Sequence, residues 1–329
     1  MRRREFMEMT ARTLAASALA GCASRLARGG DSRATHPGDS LTTADYRAMR
    51  RVAPMRQGRI AYIDRGTGDA ALFLHGFPLN NYQWRGAIAR LSAHRRCIAP
   101  DFLAMGYTEV ADGQSVAPPA QAEMVLALLD VLGISTADII ANDSGGAVAQ
   151  LIVAHHPERV RTLLLTNCDA EPDSPPPALL PVIQMAHEGT FPDRMIAPSV
   201  DDKEIARSAN GLGGAAYTYP AKLADDTIDY YLAPLVSSPE RKALANAYAI
   251  ALEHNPLEGI EPLLKRCTIP VRIVWGTGDT IFSAESPDYL SRTFAGSRGV
   301  RRVPGAKLFF PEEYPDLIAE EARRLWGVG

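Results

Sequence analysis

Short apolar runs, each closed by polar or turn-forming residues, set the rhythm of this chain. Residues 70–74, 96–100, 137–141, 160–167 and 271–276 are such runs, and their length and content predict buried strands. Residues 59–64 alternate apolar and polar positions, as an antiparallel strand does, and 299–303 gives a last strand. Helical signals fall between them: through Trp84 to Leu91, over 119–132, along the small-residue run from Gly145 to His155 ahead of Pro157, and over 312–326. Strands alternating with helices predict an α/β protein with a doubly wound, mostly parallel sheet. The alternation stops over 170–255, where a Pro-rich opening gives way to helical sequence carrying Tyr217, Tyr219, Tyr230, Tyr231 and Tyr248. That insertion reads as a helical cap over the carboxyl ends of the strands, where open sheets bind ligands.

The sharpest signal lies at residues 139–150. A strand ending near Ala141 must turn at once into a helix beginning at Gly145, and the apex of such a turn needs small residues two positions away on either side. Centred on Asp143 these are Ala141 and Gly145; centred on Ser144 they are Asn142 and Gly146, a poorer fit. The pattern predicts a strand–nucleophile–helix elbow with an aspartate at its apex. The plainer reading is a turn in which Asp143 only caps the helix.

Composition narrows the class. At 329 residues, 46% hydrophobic and 22% charged, the chain has enough apolar material for one large domain with an insertion. A formal charge of −3, with no basic block beyond the N-terminal segment, argues against nucleic acid as a partner. No apolar run approaches the roughly 18 residues of a membrane-spanning helix. Residues 1–22 read instead as an address: Arg2-Arg3-Arg4-Glu5-Phe6-Met7 has the twin-arginine pattern, and Leu19-Ala20-Gly21-Cys22 resembles a bacterial lipoprotein cleavage box. The implied protein is exported by the twin-arginine route and held at the cell envelope by a lipid on Cys22, with 23–45 as a flexible tether. Cys97, Cys168 and Cys267 then read as buried structural thiols, with one disulfide compatible with an oxidising compartment, and no metal-ligand spacing is present.

Four motifs occur in order: His75-Gly76-Phe77-Pro78, Asp101 followed by Gly106-Tyr107, Asn142-Asp143-Ser144-Gly145-Gly146, and Trp275-Gly276-Thr277-Gly278-Asp279. Together they resemble the α/β-hydrolases of the epoxide hydrolase and haloalkane dehalogenase group, and the likeness runs from residue 56 to the end. It implies an α/β-hydrolase core over 46–169 and 256–329, with the cap at 170–255 inserted after the strand that follows the elbow helix. It also implies a small-molecule substrate and no cofactor. In that group an elbow aspartate attacks an alkyl carbon, a histidine-activated water hydrolyses the ester, and a second acid orients the histidine. Carried over by position, Asp143 is the nucleophile and Asp279 the orienting acid, with Asp169 or Glu171 as a second position for that acid. The backbone N–H groups of Phe77 and Ser144 form the oxyanion hole. A carboxylate suits this work because an alkyl–carboxylate ester can be cleaved at its carbonyl, whereas an alkyl–serine ether cannot.

The departure from the family pattern concerns the base. The stretch Gly305-Ala306-Lys307-Leu308-Phe309 stands where members carry Gly-X-X-His-Phe, so Leu308 occupies the place of the histidine, and no histidine follows His254. A general base contributes about 10²–10⁴-fold in rate, so its loss leaves three readings. The first is a hydrolase acting on an epoxide or similar electrophile with an unconventional base, for which His187, His254 and, less readily, His75 are candidates. The second is a non-catalytic ligand-binding homologue. The third is a serine esterase using Ser144. A haloalkane dehalogenase is disfavoured, because that group holds halide with Trp after the nucleophile and Asn after the His-Gly pair, where this chain has Ser144 and Phe77. Epoxide hydrolases carry Phe-Pro at the latter place and protonate the epoxide oxygen with cap tyrosines, a role for which Tyr217, Tyr219, Tyr230 and Tyr231 are the candidates.

Overall fold

The computed structural model describes residues 41–329. The address at 1–22, Cys22 and most of the tether lie outside the described residues. The expected tether ends too late: Thr42 and Asp45 form a reciprocal capping box that opens helix α1 (Thr43–Met49), so these residues are structured.

Nine strands form one sheet: β1 (Arg51–Met55), β2 (Gly58–Arg65), β3 (Ala70–Leu74), β4 (Arg96–Pro100), β5 (Glu109–Val110), β6 (Ala137–Asp143), β7 (Val160–Cys168), β8 (Val271–Gly276) and β9 (Ser297–Val303). Their order is β1-β2-β4-β3-β6-β7-β8-β9, with β5 paired to β2. Strands β3, β4 and β6 to β9 run parallel, while β1, β2 and β5 pair antiparallel at one margin. The apolar runs predicted the parallel strands because both of their faces are covered: every residue of β3 and β6 is buried. Two strands escaped the pattern. β1 has only one buried position, at Ala53, and β5 is two residues long, too short to show a period.

The core helices are α2 (Arg85–Leu91), α3 (Pro118–Val131) and α4 (Ser144–His155). The chain between β7 and β8 carries α5 (Leu180–His187), α6 (Ala197–Asp201), α7 (Lys203–Arg207), α8 (Leu212–Ala216), α9 (Asp225–Val236), α10 (Pro239–Ala251) and α11 (Glu261–Leu264), with no strand. After β8 come α12 (Ser286–Thr293), α13 (Phe310–Glu313) and α14 (Pro315–Trp326). Polar ties hold the inserted helices to the core. Arg85 at the start of α2 pairs with Glu312 of α13 at 2.7 Å, and that carboxylate also receives hydroxyls from the inserted segment. Arg241 of α10 donates to the carbonyl oxygens of Thr108 and Gly106, each at 2.7 Å. Cys97, Cys168 and Cys267 are buried free thiols.

Candidate active site

Asp143 ends β6 and caps α4 with φ 55° and ψ −134°, a conformation that a non-glycine residue holds only where its surroundings impose it. Two amides impose it here. Phe77 N–H donates to Asp143 Oδ1 at 2.8 Å, and Ser144 N–H donates to the same oxygen at 2.6 Å. The apex and the cap are thus one side chain. Small neighbours are needed because the loops touch: a Cβ on Gly76 would lie 2.6 Å from Asp143 Cβ, and one on Gly145 would lie 2.6 Å from the carbonyl oxygens of Leu74 and His75.

Side-chain amides fix the surrounding loops. Gln83 accepts from Gly76 N–H at 3.0 Å and donates to Asn142 Oδ1 at 2.6 Å. Asn142 Nδ2 in turn donates to the carbonyl oxygens of Asn167 and Leu308, both at 3.1 Å. The loop after β9 is therefore pinned to the elbow, and it brings Leu308, buried, into the wall of the cavity that Asp143 lines. No proton acceptor is supplied from that position.

Three carboxylates gather at neighbouring strand ends. Burial pushes the Asp143 carboxyl up to about 6 against the pull of its amide donors, and Asp279 adds to the rise. Asp279 follows β8, and burial raises its pKa as well. Its Oδ2 accepts from Asn167 Nδ2 at 2.7 Å and its Oδ1 from Ile281 N–H at 2.8 Å, so it holds a loop and orients no imidazole. Asp169 follows β7 and lines the same cavity as Asp143. Burial, then the charge of Asp143, push its pKa up to about 7. Ser174 Oγ donates to its Oδ1 at 3.0 Å, and Gln150 of α4 fixes its backbone oxygen at 2.8 Å. Among the described residues, no cation ranks with the groups that most strongly shift any of the three. Glu171, the other alternative acid, is tied to Gly259 N–H and the Tyr289 hydroxyl.

The described histidines stand apart. His75 is buried, accepts from Phe102 N–H at Nε2 and faces the Gly76 carbonyl with Nδ1 at 2.9 Å; burial pushes its pKa down to about 4. It is a neutral strut between loops. His187 pairs with Glu253 at 3.1 Å on the surface, His254 is exposed, and neither lines the cavity. Lys307 turns to the Gly214 carbonyl.

The four cap tyrosines require a correction. Tyr217 and Tyr231 donate their hydroxyls to Glu312 Oε2 at 2.7 and 2.9 Å, Tyr230 accepts from Arg50 at 2.7 Å, and Tyr219 accepts from Tyr314 at 3.1 Å. None lines the cavity. Tyr217, Tyr230 and Tyr231 are buried, and their hydroxyls find partners at the seam between cap and core, while Tyr219 is exposed. The tyrosine nearest the elbow is Tyr248 of α10, whose hydroxyl donates to Ser144 Oγ at 3.1 Å and whose ring lies 5.2 Å from that of Phe77.

The cavity measures about 320 Å³, in the range of small-molecule sites. Its floor is Asp143, Ser144, Phe77 and Asp169, and its roof is largely aliphatic and aromatic, including Val182, Phe191, Ile196, Leu212 and Leu232. Sequence reasoning missed this roof, because inward-facing apolar residues on short helices look like any others. The weight of Asp169 was legible in principle, since adjacent parallel strands end side by side. Among the described residues no cluster of His, Cys, Asp and Glu is arranged to hold a metal ion.

Comparison with known proteins agrees with this architecture. The family described as alpha/beta hydrolase fold matches residues 70–314. Haloalkane dehalogenase 2 of Mycobacterium tuberculosis is 27% identical over 276 residues, spanning 80% of this chain and 90% of that protein. An α/β hydrolase fold protein from Burkholderia ambifaria, of solved structure, matches with a TM-score of 0.72 at 26% identity, covering 86% of this chain and 97% of its own. A solved epoxide hydrolase matches with a TM-score of 0.69 at 21% identity, covering 84% of this chain and 98% of its own.

Proposed function

We propose, from the premise that this chain belongs to the α/β hydrolase fold family, that it is a cofactor-independent hydrolase opening an uncharged, apolar epoxide through an ester on Asp143. The observation that carries the reading is the convergence of two amides on one oxygen of the elbow carboxylate, Phe77 N–H and Ser144 N–H on Asp143 Oδ1. That leaves Oδ2 to attack carbon. The same two donors then hold the carbonyl oxygen of the ester and the oxyanion formed when water adds to it. The roof is largely apolar, its one cation among the described residues, Arg194, having a mostly exposed side chain, and this favours a substrate without charge. An epoxide is favoured over an alkyl halide because Phe77 and Ser144 stand where halide-holding Asn and Trp would be needed.

The test is single turnover with an aryl epoxide in ¹⁸O-labelled water. The expected result is diol formation with label entering the Asp143 carboxyl, and neither in Asp143→Asn. Diol formed by Asp143→Asn at the wild-type rate would end the proposal.

Leu308 in the cavity wall favours a second reading, a non-catalytic ligand-binding protein. It expects saturable binding of the same epoxides with no adduct and no diol. The twin-arginine and Cys22 reading stands as a separate proposal, tested by whether Cys22→Ser moves the protein from the membrane to the soluble fraction.

A further inference from the structure

We propose that Asp169 serves as both the general acid and the general base for the reaction at Asp143. This rests on the function proposed above and fills its two gaps, the missing proton donor for the epoxide oxygen and the missing base for water.

The geometry comes from the sheet. β6 and β7 are adjacent parallel strands, roughly 4.8 Å apart, and Asp143 is in register with Cys168. The ladder is irregular between Asn142 and Asp143, and Asp169 is the residue after Cys168, so both acids leave the ends of neighbouring strands, and both line one cavity. Gln150 fixes the Asp169 backbone from below.

Electrostatics assigns the proton. The charged groups that bear on Asp169 are Asp143 from the elbow and Asp173 from its own loop, both acidic, and it in turn acts on Tyr248 of α10 and on Cys168. None is a cation. Two buried carboxylates that line one cavity, the charge of one raising the other, cannot both ionise cheaply, so the pair holds one proton. Asp143 has two amide donors on one oxygen, which favour its ionised form. Asp169 has the Ser174 hydroxyl on Oδ1 and its own backbone N–H, and these do not outweigh burial and the charge of Asp143, so the proton rests on Asp169. The resting pair is Asp143 carboxylate beside Asp169 carboxylic acid, the states each role requires.

The cycle then balances. Asp143 Oδ2 attacks an epoxide carbon, the ring C–O bond breaks, and the departing oxygen keeps its electron pair and takes the proton of Asp169. Asp169, now a carboxylate, removes a proton from water as that water's oxygen adds to Asp143 Cγ, with the oxyanion on Oδ1 held by the two amides. The Cγ–Oδ2 bond breaks, and the departing alkoxide takes the second proton of the water. Epoxide and water have become a vicinal diol, and both acids are back in their starting states.

The test separates the two halves by leaving group. Full-length wild type, Asp169→Asn and Asp169→Glu are followed by intact-protein mass spectrometry with styrene oxide and with hexyl bromide, whose bromide departs without a proton. In Asp169→Asn, hexyl bromide is expected to alkylate Asp143 at the wild-type rate, which also reports an intact elbow. The resulting ester should persist at least about 10²-fold longer. Styrene oxide is expected to alkylate the same variant at least about 10²-fold more slowly, and Asp169→Glu should recover part of both losses. Ester hydrolysis in Asp169→Asn at the wild-type rate overturns the proposal. So does a wild-type ester that never hydrolyses, although that outcome leaves Asp143 standing as the nucleophile. No adduct and no diol in wild type overturns this proposal and the proposed function together.

Discussion

The floor and the roof of the cavity are built on opposite principles. On the floor each reacting position is determined several times over: Asp143 by two amides, a forced backbone and glycines that admit no side chain, and the loop at Leu308 by Asn142. The roof is a set of short helices whose contribution to the cavity is mostly apolar surface. Hydrogen bonds are directional and fix atoms to tenths of an ångström, whereas apolar packing fixes volume. The floor is therefore suited to specify a reaction and the roof to specify a size.

The largest effect that tests this contrast comes from one substitution on each side. Asp143→Asn should reduce turnover of an apolar epoxide by more than about 10³-fold. Leu232→Ala, in the roof, should leave kcat within about threefold and raise KM, because it removes packing felt equally by substrate and transition state. Steady-state kinetics of both variants check it. A roof variant that lost kcat as the floor variant does would erase the distinction.

The next effect is on pH. Asp143 must be ionised to attack and Asp169 protonated to donate, with values of about 6 and about 7. The expected profile of kcat/KM is a narrow bell, falling about tenfold per pH unit on each outer limb. In Asp169→Asn the alkaline limb should disappear, because the proton whose loss draws it is gone, while the acid limb stays with Asp143. The bell belongs to the pair, so removing one member should change the shape of the curve as well as its height.

Stability gives a third measure of the floor. Asp143 and Asp169 have folded-state values above the ordinary 3.8, so the folded protein binds protons more tightly than the unfolded chain. Stability is then fullest below about pH 4 with respect to these groups, and it declines as pH rises from there through about 6 and 7. Asp169→Asn should accordingly be more stable than wild type at pH 8 by a few kcal/mol, since each tenfold difference in proton affinity between folded and unfolded chain is worth about 1.4 kcal/mol. Near pH 4 the two should be indistinguishable. Thermal unfolding at the two pH values checks the sign. No roof substitution should show this dependence, because the roof contributes little that titrates.

The same contrast governs how much was legible in the sequence. The parallel strands were readable because burial on both faces writes an unbroken apolar run, and the elbow because its steric demands are local, at Ala141 and Gly145. β1 and β5 were not, since a margin strand with one buried residue and a two-residue bridge carry no pattern. The tyrosines were misplaced for a different reason. Whether a tyrosine on α9 faces the cavity or the core depends on a partner far along the chain, Glu312, and no local periodicity encodes such a partner.

That misplacement yields the smallest and cleanest prediction. If Tyr217 and Tyr231 acted on substrate, replacing either by Phe would remove a proton donor and cost roughly 10²-fold in rate. In the structure both hydroxyls instead end on Glu312 Oε2, while Arg85 takes Oε1. Each is then one of several bonds on a buried carboxylate. Tyr231→Phe and Tyr217→Phe should each cost about 1 kcal/mol of stability, read by denaturant unfolding, and leave kcat within about twofold. Glu312→Gln should cost more, about 3–5 kcal/mol, because it leaves the Arg85 guanidinium buried beside a neutral amide. A rate loss in either tyrosine variant without a stability loss would return these side chains to the floor. A stability loss without a rate loss assigns them to the seam that holds the roof in place.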